Sequence, residues 1–531
     1  MTSSLRPRLV GVLLYAIAMG AGGTLPAFAQ ENDRPSETPP NIVLFLVDDL
    51  GWQDTSVPFH TVRTPFNDLY RTPGVERLAR QGVLFTNAYA ASPVCTPTRS
   101  SIITGRHPAR THITDWTLHP DVEKQQRSRP SLSVASPDWN VRGVQPADTT
   151  LPELLRRGGY RTIHVGKAHF GALGTPGADP TALGFDVNVA GHAAGAPGSY
   201  YSEEKYGNDE DGPWGVPGLE KYYGTDTYLT RALTLEANSA LEEAVRDGQP
   251  FFLNMAPYAV HAPIMADSQY VDDYTDVNST EVAYASMVEG YDASLRAILW
   301  KLEELGVAER TLVLFTSDNG GLSAHARGRT PMGTGPNTHN LPLRSGKGSA
   351  YEGGIRVPMV VAWAKPDASQ PVQRRLPIAA GRRTEAPVTS HDFFPSILEA
   401  AGVQQPDDDR LDGHSFVPLL RPSASQPQEA DRDTTHFWHY PHLWGPHGPG
   451  LKPFTAVRSG DWKLIYFYDE ARYELYDLAD DLGETTNLVE AQPAVARRLA
   501  DRMRAWMRRV GAQSPVDRAT GSPVGRPPRP E

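Results

Sequence analysis

The chain has 531 residues, of which 39% are hydrophobic and 21% are charged, and its formal net charge is -11. This length and composition are typical of a globular protein with one large α/β domain and a smaller one. The negative charge argues against a nucleic-acid-binding protein, which needs a basic surface to displace the counterions of phosphates.

The N-terminal segment has the order of a cleavable secretory signal. Arg6 and Arg8 precede an apolar stretch over residues 9–21, and Ala27-Phe28-Ala29 supplies a small-residue cleavage site. We therefore predict a signal peptide over residues 1–29 and an exported protein, either periplasmic or secreted. The apolar stretch is shorter and more interrupted by glycine than the roughly 20 residues of a spanning helix, so no membrane anchor is expected.

Short apolar runs alternate with helix-period segments after residue 41, which is typical of a parallel sheet with helices on its faces. One helix is predicted where apolar residues recur every three or four positions from Tyr284 to Leu305, before Gly306. Strands are predicted at residues 42–47, 162–165, 251–255, 312–316 and 357–363.

The C-terminal part of the sequence follows a different pattern. A helix is predicted at residues 493–510, after an antiparallel meander of three strand-like segments at residues 455–458, 462–468 and 473–478. We therefore place a large domain at residues 41–430 and a smaller α+β subdomain at residues 431–511. Residues 512–531 are rich in Pro, Gly and Arg and are predicted to be disordered.

Three long irregular stretches interrupt the large domain, at residues 117–148, 171–226 and 321–350. Loops of that length in a compact domain are usually functional or disordered. Because the loops at the carboxyl ends of strands surround the ligand crevice of an open parallel sheet, these three are predicted to form its walls.

Carboxylates and an amide follow two of the predicted strands. Asp48 and Asp49 come just after the first strand, and Asp318 and Asn319 come just after the strand at residues 312–316. Either pair alone would first be interpreted as a turn or a helix cap. Together, at one edge of a parallel sheet, they form an all-oxygen set that suits a hard cation such as Ca²⁺ or Mg²⁺.

Cys95 is the only cysteine in the sequence, so it cannot form an internal disulfide. In an exported protein a free thiol indicates pairing with another molecule, a reactive role or chemical conversion. A buried cysteine with a purely structural role is the alternative.

The run from Cys95 to Arg106 has the pattern C-x-P-x-R followed by T-G-R. It closely resembles the signature of type I, formylglycine-dependent sulfatases of the alkaline phosphatase-like superfamily. In that family a formylglycine-generating or sulfatase-maturing enzyme oxidises the cysteine to formylglycine, whose hydrated aldehyde attacks a sulfate ester. Residues 159–169 are similar to the family segment G-Y-x-T-x-x-x-G-K-x-H, although Ala168 stands where the family usually has Trp. The resemblance extends over roughly residues 41–490.

The resemblance implies an α/β fold with a large mixed, mostly parallel sheet sandwiched by helices, and a smaller subdomain of antiparallel sheet plus helix. The domain at residues 41–430 would be the catalytic one. The resemblance also implies that the bound ion is Ca²⁺. Its ligands would be the four residues after the strands and an oxygen of the modified cysteine, namely Asp48, Asp49, Asp318, Asn319 and Cys95.

The resemblance also assigns catalytic roles. A sulfate ester is anionic, and charge builds on its bridging oxygen as the S–O bond breaks, so preorganised cations must flank both places. Lys167 and Lys347 are expected to hold the sulfate, and Arg99 to orient the formylglycine hydrate. His261, helped by Lys347, is expected to protonate the leaving oxygen, and His169 to accept a proton from the hydrate.

Segments 411–415, 437–442 and 462–464 also resemble parts of bacterial exported carbohydrate sulfatases and arylsulfatases. The expected activity is therefore release of sulfate from a sulfated carbohydrate or an aryl sulfate. Three candidate substrate contacts, each of a type that is also ordinary at a protein surface, are His192, Arg344 and His439.

Two alternatives stay open. A phosphonate or phosphate ester hydrolase of the same superfamily can share both the scaffold and the cysteine conversion. A non-catalytic sulfated-glycan binding protein would result if Cys95 were never converted. A Ser or Cys hydrolase lacks support, because the sequence has no G-x-S-x-G elbow and a thiol nucleophile does not explain the oxygen ligands.

Overall fold

A nine-stranded mixed sheet forms the centre of this computed structural model. The structure describes residues 38–122, 132–208, 212–275, 277–328, 336–408, 410–422, 435–445 and 448–530. The predicted signal peptide at residues 1–29 lies outside the described residues. Residues Thr38–Glu531 form one compact unit.

The strands alternate with helices along most of the chain. In chain order they are β1 (Asn41–Val47), β2 (Val83–Tyr89), β3 (Val134–Ala135), β4 (Arg161–Gly166), β5 (Val187–Val189), β6 (Phe251–Ala256), β7 (Thr311–Ser317), β8 (Arg356–Trp363), β9 (Arg382–Thr384), β10 (Val388–Thr389), β11 (Thr435–Tyr440), β12 (Phe454–Ser459), β13 (Trp462–Phe467), β14 (Arg472–Asp477) and β15 (Val516–Asp517). The large sheet has the order β10-β2-β8-β7-β1-β6-β4-β5, with β9 paired to β2. β8 runs antiparallel to both neighbours, and the other pairs are parallel. The predicted mixed, mostly parallel sheet is confirmed, and the five predicted strands lie within β1, β4, β6, β7 and β8.

The α-helices of the described residues are α1 (Pro65–Leu69), α2 (Pro73–Gln81), α3 (Cys95–Thr104), α4 (Pro108–Thr111), α5 (Leu151–Arg157), α6 (Leu229–Arg246), α7 (Ser279–Glu304), α8 (Ala324–Arg327), α9 (Glu352–Ile355), α10 (Pro371–Arg375), α11 (Phe393–Ala401), α12 (Val417–Leu420) and α13 (Pro493–Val510). They cover both faces of the large sheet. Val43, Phe45 and Val47 of β1 pack with α6 and α7, whereas the alternate β1 residues pack with α3, α5 and α11. This alternation follows from the two-residue period of a strand, and it explains why residues 42–47 of β1 are all apolar.

The predicted amphipathic helix is confirmed as α7. The Asn278 side chain accepts a hydrogen bond from the Glu281 backbone at its start, and Gly306, at φ 66, follows its end. Both features are typical helix boundaries. Within the described ranges, no helix combines the length and the apolar character needed to cross a membrane.

The C-terminal meander is also confirmed. β11, β12, β13 and β14 form a four-stranded antiparallel sheet in that order, and α13 packs against it. The predicted helix bounds of residues 493–510 match those of α13. The predicted domain boundary near residue 430 falls within residues 423–434, outside the described part of the chain.

The prediction that residues 512–531 are disordered is wrong for the described part, which ends at residue 530. β15 pairs antiparallel with β3. The Gln513 carbonyl accepts a hydrogen bond from His439 Nε2 at 2.6 Å, and Gln513 Nε2 donates to the Asp138 carbonyl. A segment rich in Pro and Gly forms little structure by itself, but its backbone groups can still pair with an exposed loop of the same chain.

Acid is expected to destabilise the fold through His164, which lies inside β4. Its Nδ1 accepts from the Asn254 side chain at 3.0 Å, its Nε2 donates to the Gly166 carbonyl at 3.0 Å, and burial lowers its pKa to about 3. The folded state therefore keeps this imidazole neutral, whereas the unfolded chain protonates it below its ordinary value of 6.5. Stability is lost as the pH falls through this window, by up to about 1.4 kcal/mol per pH unit for one proton.

His164→Asn should therefore flatten the pH dependence of the free energy of unfolding by about that amount between pH 6.5 and pH 4. Urea unfolding followed by circular dichroism at several pH values measures both slopes. Equal slopes in the variant and the parent protein would contradict the prediction.

Candidate active site

The carboxyl ends of three parallel strands bring four of the predicted residues together. Asp48 and Asp49 follow β1, Lys167 follows β4, and Asp318 follows β7. The register pairs the last residues of β1 and β7, so Asp48 lies next to Asp318. The Asp49 backbone N–H donates to Asp318 Oδ1 at 3.2 Å. The structure thus places these residues at one edge of the sheet, as parallel strands require.

Cys95 and Arg99 reach the same edge from the first two turns of α3. Arg99 Nε donates to Asp318 Oδ2 at 2.7 Å, and Arg99 Nη1 donates to the Lys167 carbonyl at 2.7 Å. Arg99 Nη2 lies 3.7 Å from Asp48 Oδ1 and makes no hydrogen bond to the described residues. One guanidinium nitrogen therefore stays available to an anion or a hydroxyl oxygen within the cluster.

Two lysines complete a set of buried ion pairs. Lys167 Nζ donates to both carboxylate oxygens of Asp48 at 2.8 Å, and Lys347 Nζ lies 2.6 Å from Asp49 Oδ1. With the Arg99 pair, three cations balance three carboxylates, and all six groups are buried. Replacing a buried ion pair with apolar groups is often neutral or stabilising. We therefore infer that this cluster is kept for binding and chemistry rather than for stability.

The adjacent carboxyl groups of the cluster differ in their tendency to ionise. Burial acts to raise the pKa of Asp49, but Lys347 and His261 hold it below its usual range. Burial, with the nearby carboxylate of Asp318, raises the pKa of Asp48 well above its usual range in spite of Lys167. Crowded like charges have this effect, and a cation bound among them would favour the ionised form of both groups.

The oxygen atoms of the cluster fit a hard divalent cation. Asn319 Oδ1 is buried and has no hydrogen-bond partner among the described residues, while Asn319 Nδ2 donates to Asp49 Oδ1 at 2.7 Å. Asp48, Asp49 and His261 each offer a ligand atom, and these atoms all lie within 4.8 Å of one another. Carboxylates combined with an orphaned amide oxygen match the donors that Ca²⁺ takes. The nearness of His261 to this group is a feature that the predicted ligand set does not contain.

Cys95 is buried at the N-terminus of α3, with 3% of its surface exposed. Burial raises the pKa of its thiol above its usual value, although Lys167 and Lys347 act in the opposite direction. At neutral pH the thiol is therefore protonated, and a protonated thiol is a poor nucleophile. The unmodified side chain does not explain why lysines and a metal-type cluster surround it.

His169 is held in one tautomer. Its Nε2 lies 2.8 Å from the Thr117 carbonyl, which can only accept, so this nitrogen carries the hydrogen. Nδ1 is then the basic nitrogen, and it is buried without a partner among the described residues. Burial and the positive charge of Lys167 lower the pKa of His169 well below its usual value. His169 also has φ 54, in the left-handed region that residues with a side chain seldom adopt.

His261 is the most exposed of the predicted catalytic side chains. It is 17% exposed, whereas Lys347 is only 1% exposed. Nδ1 lies 2.6 Å from the carbonyl of Ala262, and Nε2 lies 3.5 Å from Asp49 Oδ2. Burial, reinforced by Lys347, lowers its pKa to about 3. His261 is therefore neutral in this structure. Its hydrogen lies on Nδ1, and its bare Nε2 is directed toward the cluster.

The three candidate substrate contacts have different surroundings. The His192 carbonyl accepts from the His169 backbone at 3.1 Å, and His192 Nε2 is buried without a partner among the described residues, so it lies beside the site. Both ring nitrogens of His439 already bond within the protein, to Thr455 at 2.7 Å and to Gln513 at 2.6 Å. His439 therefore has no ring nitrogen left for a substrate, and that assignment is withdrawn.

Arg344 has contacts within the protein that the sequence does not indicate. Its guanidinium lies 3.9 Å from the centre of the Tyr351 ring, and its Nη1 donates to the Glu484 carbonyl at 2.7 Å. These contacts tie the loop before β8 to the C-terminal part of the chain. We therefore interpret Arg344 as a residue that supports that loop, and its role as a substrate contact stays a prediction.

Sequence reasoning missed two groups near the catalytic residues. The carbonyl of Thr117 fixes the tautomer of His169, but a backbone contact leaves no mark on residue type. The Trp444 ring centre lies 5.4 Å from Lys347 Nζ. A Cβ on Gly348 would lie only 2.1 Å from that ring, so Trp444 packs tightly on the loop that carries Lys347. Trp444 is nearly 100 residues from Lys347 in sequence, and no local pattern joins them.

Comparisons with known proteins agree with this arrangement. The family model described as Sulfatase matches residues 40–403, and the one described as N-sulphoglucosamine sulphohydrolase, C-terminal, matches residues 346–511. A sulfatase of Formosa agariphila is 28% identical over 90% of this chain and 90% of its own length. N-acetylgalactosamine-6-sulfatase of Mus musculus is 31% identical over 85% of this chain and 86% of its own length.

A solved structure shows the same fold. The crystal structure of Ps i-CgsB in complex with k-i-k-neocarrahexaose is 25% identical and has a TM-score of 0.67, covering 88% of this chain and 93% of that chain. Both the large sheet and the C-terminal meander fall within the matched families, and the fold is alkaline phosphatase-like. The chain therefore belongs to the sulfatase family and is a sulfuric ester hydrolase.

Proposed function

We propose that this sulfatase releases sulfate from a sulfated carbohydrate through formylglycine derived from Cys95, with Ca²⁺ bound beside it. The position of Cys95 carries the proposal. This thiol is buried and its pKa is raised, and the charges of Lys167, Lys347 and Asp318 act on it. Such a thiol is a poor nucleophile. Conversion to formylglycine would place a reactive hydroxyl beside the surrounding cations.

Two groups beyond the encoded side chains supply part of the chemistry. The hydrated aldehyde of formylglycine supplies a hydroxyl nucleophile for the sulfur atom. Bound Ca²⁺ supplies positive charge beside the sulfate oxygens, and its ligands would be Asp48, Asp49, Asp318, Asn319 and an oxygen of the modified Cys95. The orphaned oxygen of Asn319 and the three clustered carboxylates support this ligand set.

The remaining residues hold the anion and move protons. Lys167 and Lys347 approach the cluster as fixed cations and stabilise negative charge on the sulfate and the leaving oxygen. Arg99 Nη2, which makes no hydrogen bond to the described residues, orients the nucleophile. His169 accepts a proton at Nδ1, the nitrogen that its contact with Thr117 leaves bare.

His261 is suited to the leaving-group side because it is the most exposed of these side chains. Its pKa of about 3 keeps it neutral in the free enzyme. An anion close to an imidazole favours the protonated form. We therefore assign proton donation to His261 Nε2 after the sulfate ester has bound, with Lys347 sharing the charge of the departing oxygen.

The substrate class is supported by the matched proteins. One relative acts, by its name, on N-acetylgalactosamine 6-sulfate, and the similar solved structure holds an oligosaccharide. The second matched family is named for N-sulphoglucosamine. A sulfated carbohydrate is therefore the proposed natural substrate, and aryl sulfates are proposed as small substitutes.

Maturation and export complete the proposal. The apolar segment before residue 30 supports export, either to the periplasm or out of the cell. A formylglycine-generating or sulfatase-maturing enzyme is the proposed partner. Because Cys95 is buried in the folded protein, that enzyme must act before this part of the chain has folded.

Matched esters test the reaction class. We expect p-nitrophenyl sulfate to be hydrolysed with a much higher kcat/KM than p-nitrophenyl phosphate or a p-nitrophenyl phosphonate. Dominant phosphate or phosphonate turnover would replace the sulfatase assignment of this site with its superfamily alternative. If Cys95 stays unconverted in protein made together with a formylglycine-generating or sulfatase-maturing enzyme, and that protein turns over no ester, the glycan-binding alternative would be favoured.

Sulfated sugars test the substrate class. Release of inorganic sulfate is measured with a panel of sulfated mono- and disaccharides. We expect at least one sugar to exceed the aryl sulfate in kcat/KM, because contacts to the sugar ring add binding energy in the transition state. Turnover of aryl sulfates with none of the sugars would contradict the carbohydrate assignment.

A further inference from the structure

A buried ion cluster joins the C-terminal sheet to the loop that carries Lys347. Lys463 of β13 lies 2.9 Å from Glu352 Oε1 and 2.8 Å from Glu484 Oε1, and all three side chains have 0% exposure. Tyr89 donates to Glu352 Oε2 at 2.7 Å, and Arg356 lies 3.4 Å from the same oxygen. Both oxygens of Glu352 are thus fixed by partners on other elements.

The cluster also holds the backbone at the start of α9. The Glu352 N–H donates to Glu484 Oε2 at 2.6 Å. Glu484 has φ 52, a left-handed backbone that is strained for a residue with a side chain. The Glu484 carbonyl accepts a hydrogen bond from Arg344 Nη1 at 2.7 Å. Arg344 lies at the beginning of the loop that carries Lys347. Glu484 therefore forms hydrogen bonds to both ends of the segment from Arg344 to Glu352, and Lys347 lies between these ends.

Backbone hydrogen bonds connect the segment from Arg344 to Glu352 to the catalytic centre. Gly353 N–H donates to the Arg344 carbonyl at 3.1 Å, which closes the segment on itself. Gly320 N–H donates to the Gly354 carbonyl at 3.0 Å, and Lys347 N–H donates to the Gly321 carbonyl at 2.9 Å. Gly320 directly follows Asp318-Asn319. The Lys347 backbone is therefore fixed between the ion cluster on one side and the proposed calcium ligands on the other.

Stability does not explain three fully buried ionisable side chains. An apolar group in place of a buried ion pair is often as stable or more stable, whereas a buried pair does impose one geometry on its surroundings. Lys463 occupies a strand position whose neighbours Leu464 and Ile465 are also buried. The charge is retained at a place where it sets the position of a loop.

We propose that Lys463 and Glu484 are positioning residues for Lys347, so that the C-terminal sheet fixes the geometry of leaving-group stabilisation. The inference rests on the proposed role of Lys347. Neither residue touches the reacting atoms. They act by holding the segment that presents Lys347 Nζ to the departing oxygen.

The test uses a series of aryl sulfates whose phenol leaving groups differ in pKa. If Lys347 stabilises charge on the leaving oxygen, Lys347→Met must make log kcat/KM depend more steeply on the pKa of the phenol. Lys463→Met should steepen the dependence in the same direction and lower kcat for the poorest leaving group by about tenfold to a hundredfold, with less effect on KM. Glu484→Gln keeps an acceptor for the Glu352 N–H and should give a smaller change of the same sign.

Lys452→Met is the matched control. Lys452 also lies between two carboxylates, 3.2 Å from Asp469 and 2.6 Å from Glu470, but at the exposed edge of the C-terminal region. Its slope should equal that of the parent enzyme. If Lys463→Met does not fold, Glu484→Gln decides the question alone.

The possible outcomes distinguish the proposed role of Lys347 from the proposed positioning roles of Lys463 and Glu484. An unchanged slope for Lys347→Met would overturn the proposed role of Lys347 itself. A steeper slope for Lys347→Met, but the parent slope for folded Lys463→Met and Glu484→Gln, would overturn the positioning inference. A uniform fall of activity across all phenols would likewise overturn it, because a merely structural defect does not discriminate between leaving groups.

Discussion

Cys95→Ala is expected to abolish sulfate release, with kcat for p-nitrophenyl sulfate falling by at least about 10⁴-fold, because the nucleophile of the proposed reaction is lost. The fold should persist. Cys95 lies at a helix start and is one small side chain in the interior, so its truncation removes few contacts. Kinetic assays measure the loss, and circular dichroism with thermal melting verifies that the variant is folded.

Mass spectrometry supplies the control for this experiment. Formylglycine is about 18 Da lighter than cysteine, so the converted fraction can be read from the peptide that contains Cys95. Specific activity of the parent enzyme should rise in proportion to that fraction across preparations. Full turnover by folded Cys95→Ala, or by a preparation with no converted Cys95, would contradict the proposed nucleophile.

The parts of the fold that can be predicted are those where a local pattern reflects burial. β1 and β7 contain uninterrupted apolar runs, at residues 42–47 and 312–315, because helices cover both faces of the sheet. β2 escapes such a prediction, because Thr86 and Asn87 interrupt its apolar residues at the point where its register with β8 shifts. A bulge of this kind breaks the alternation that identifies a strand.

In the candidate site, too, only the residues that a local sequence pattern marks can be predicted. Asp48, Asp318 and Lys167 can be located from sequence because each directly follows a strand of one parallel sheet. Lys463 cannot, because its partner Glu352 is 111 residues away and no local pattern pairs them. His439 has the residue type of a substrate contact, yet the C-terminal tail supplies its partner. Residue type alone does not show whether a polar side chain already has a partner.

The buried clusters around Cys95 and around Lys463 have different charge balances. Around Cys95 the three cations equal the three carboxylates, so an added divalent ion leaves the site positive and able to take an anion. Around Lys463, Glu352 faces Arg356 and Arg458 as well, whereas the pKa of Glu484 rises to about 7 through burial and the nearby Glu352. The first arrangement suits ligand binding and the second suits structural support, which is consistent with their places in the fold.

Asp318→Asn is expected to weaken Ca²⁺ binding by at least about a hundredfold, because it removes a charged oxygen ligand from the proposed site. The change also leaves Arg99 without the carboxylate that accepts from its Nε at 2.7 Å. Sulfatase activity should fall sharply for both reasons. Thermal melting at increasing Ca²⁺ concentration gives a readout that does not depend on activity.

An ion that binds only the folded state stabilises it by about 2.7 kcal/mol when its concentration reaches one hundred times Kd. The melting temperature of the parent protein should therefore rise with Ca²⁺, and Asp318→Asn should need far more Ca²⁺ for the same rise. Asp292→Asn is the control, since Asp292 is equally buried but accepts from the backbone of Gly74 and Val75 at 2.9 and 3.0 Å.

Asp292→Asn should lower the melting temperature while keeping its dependence on Ca²⁺, because its carboxylate caps α2 and is not among the proposed ligands. A parent protein whose melting temperature ignores Ca²⁺ would overturn the proposed ion. Equal Ca²⁺ dependence in Asp318→Asn and the parent protein would instead remove Asp318 from the ligand set. The two results are distinguishable, since the first concerns the parent protein alone and the second requires that the parent respond.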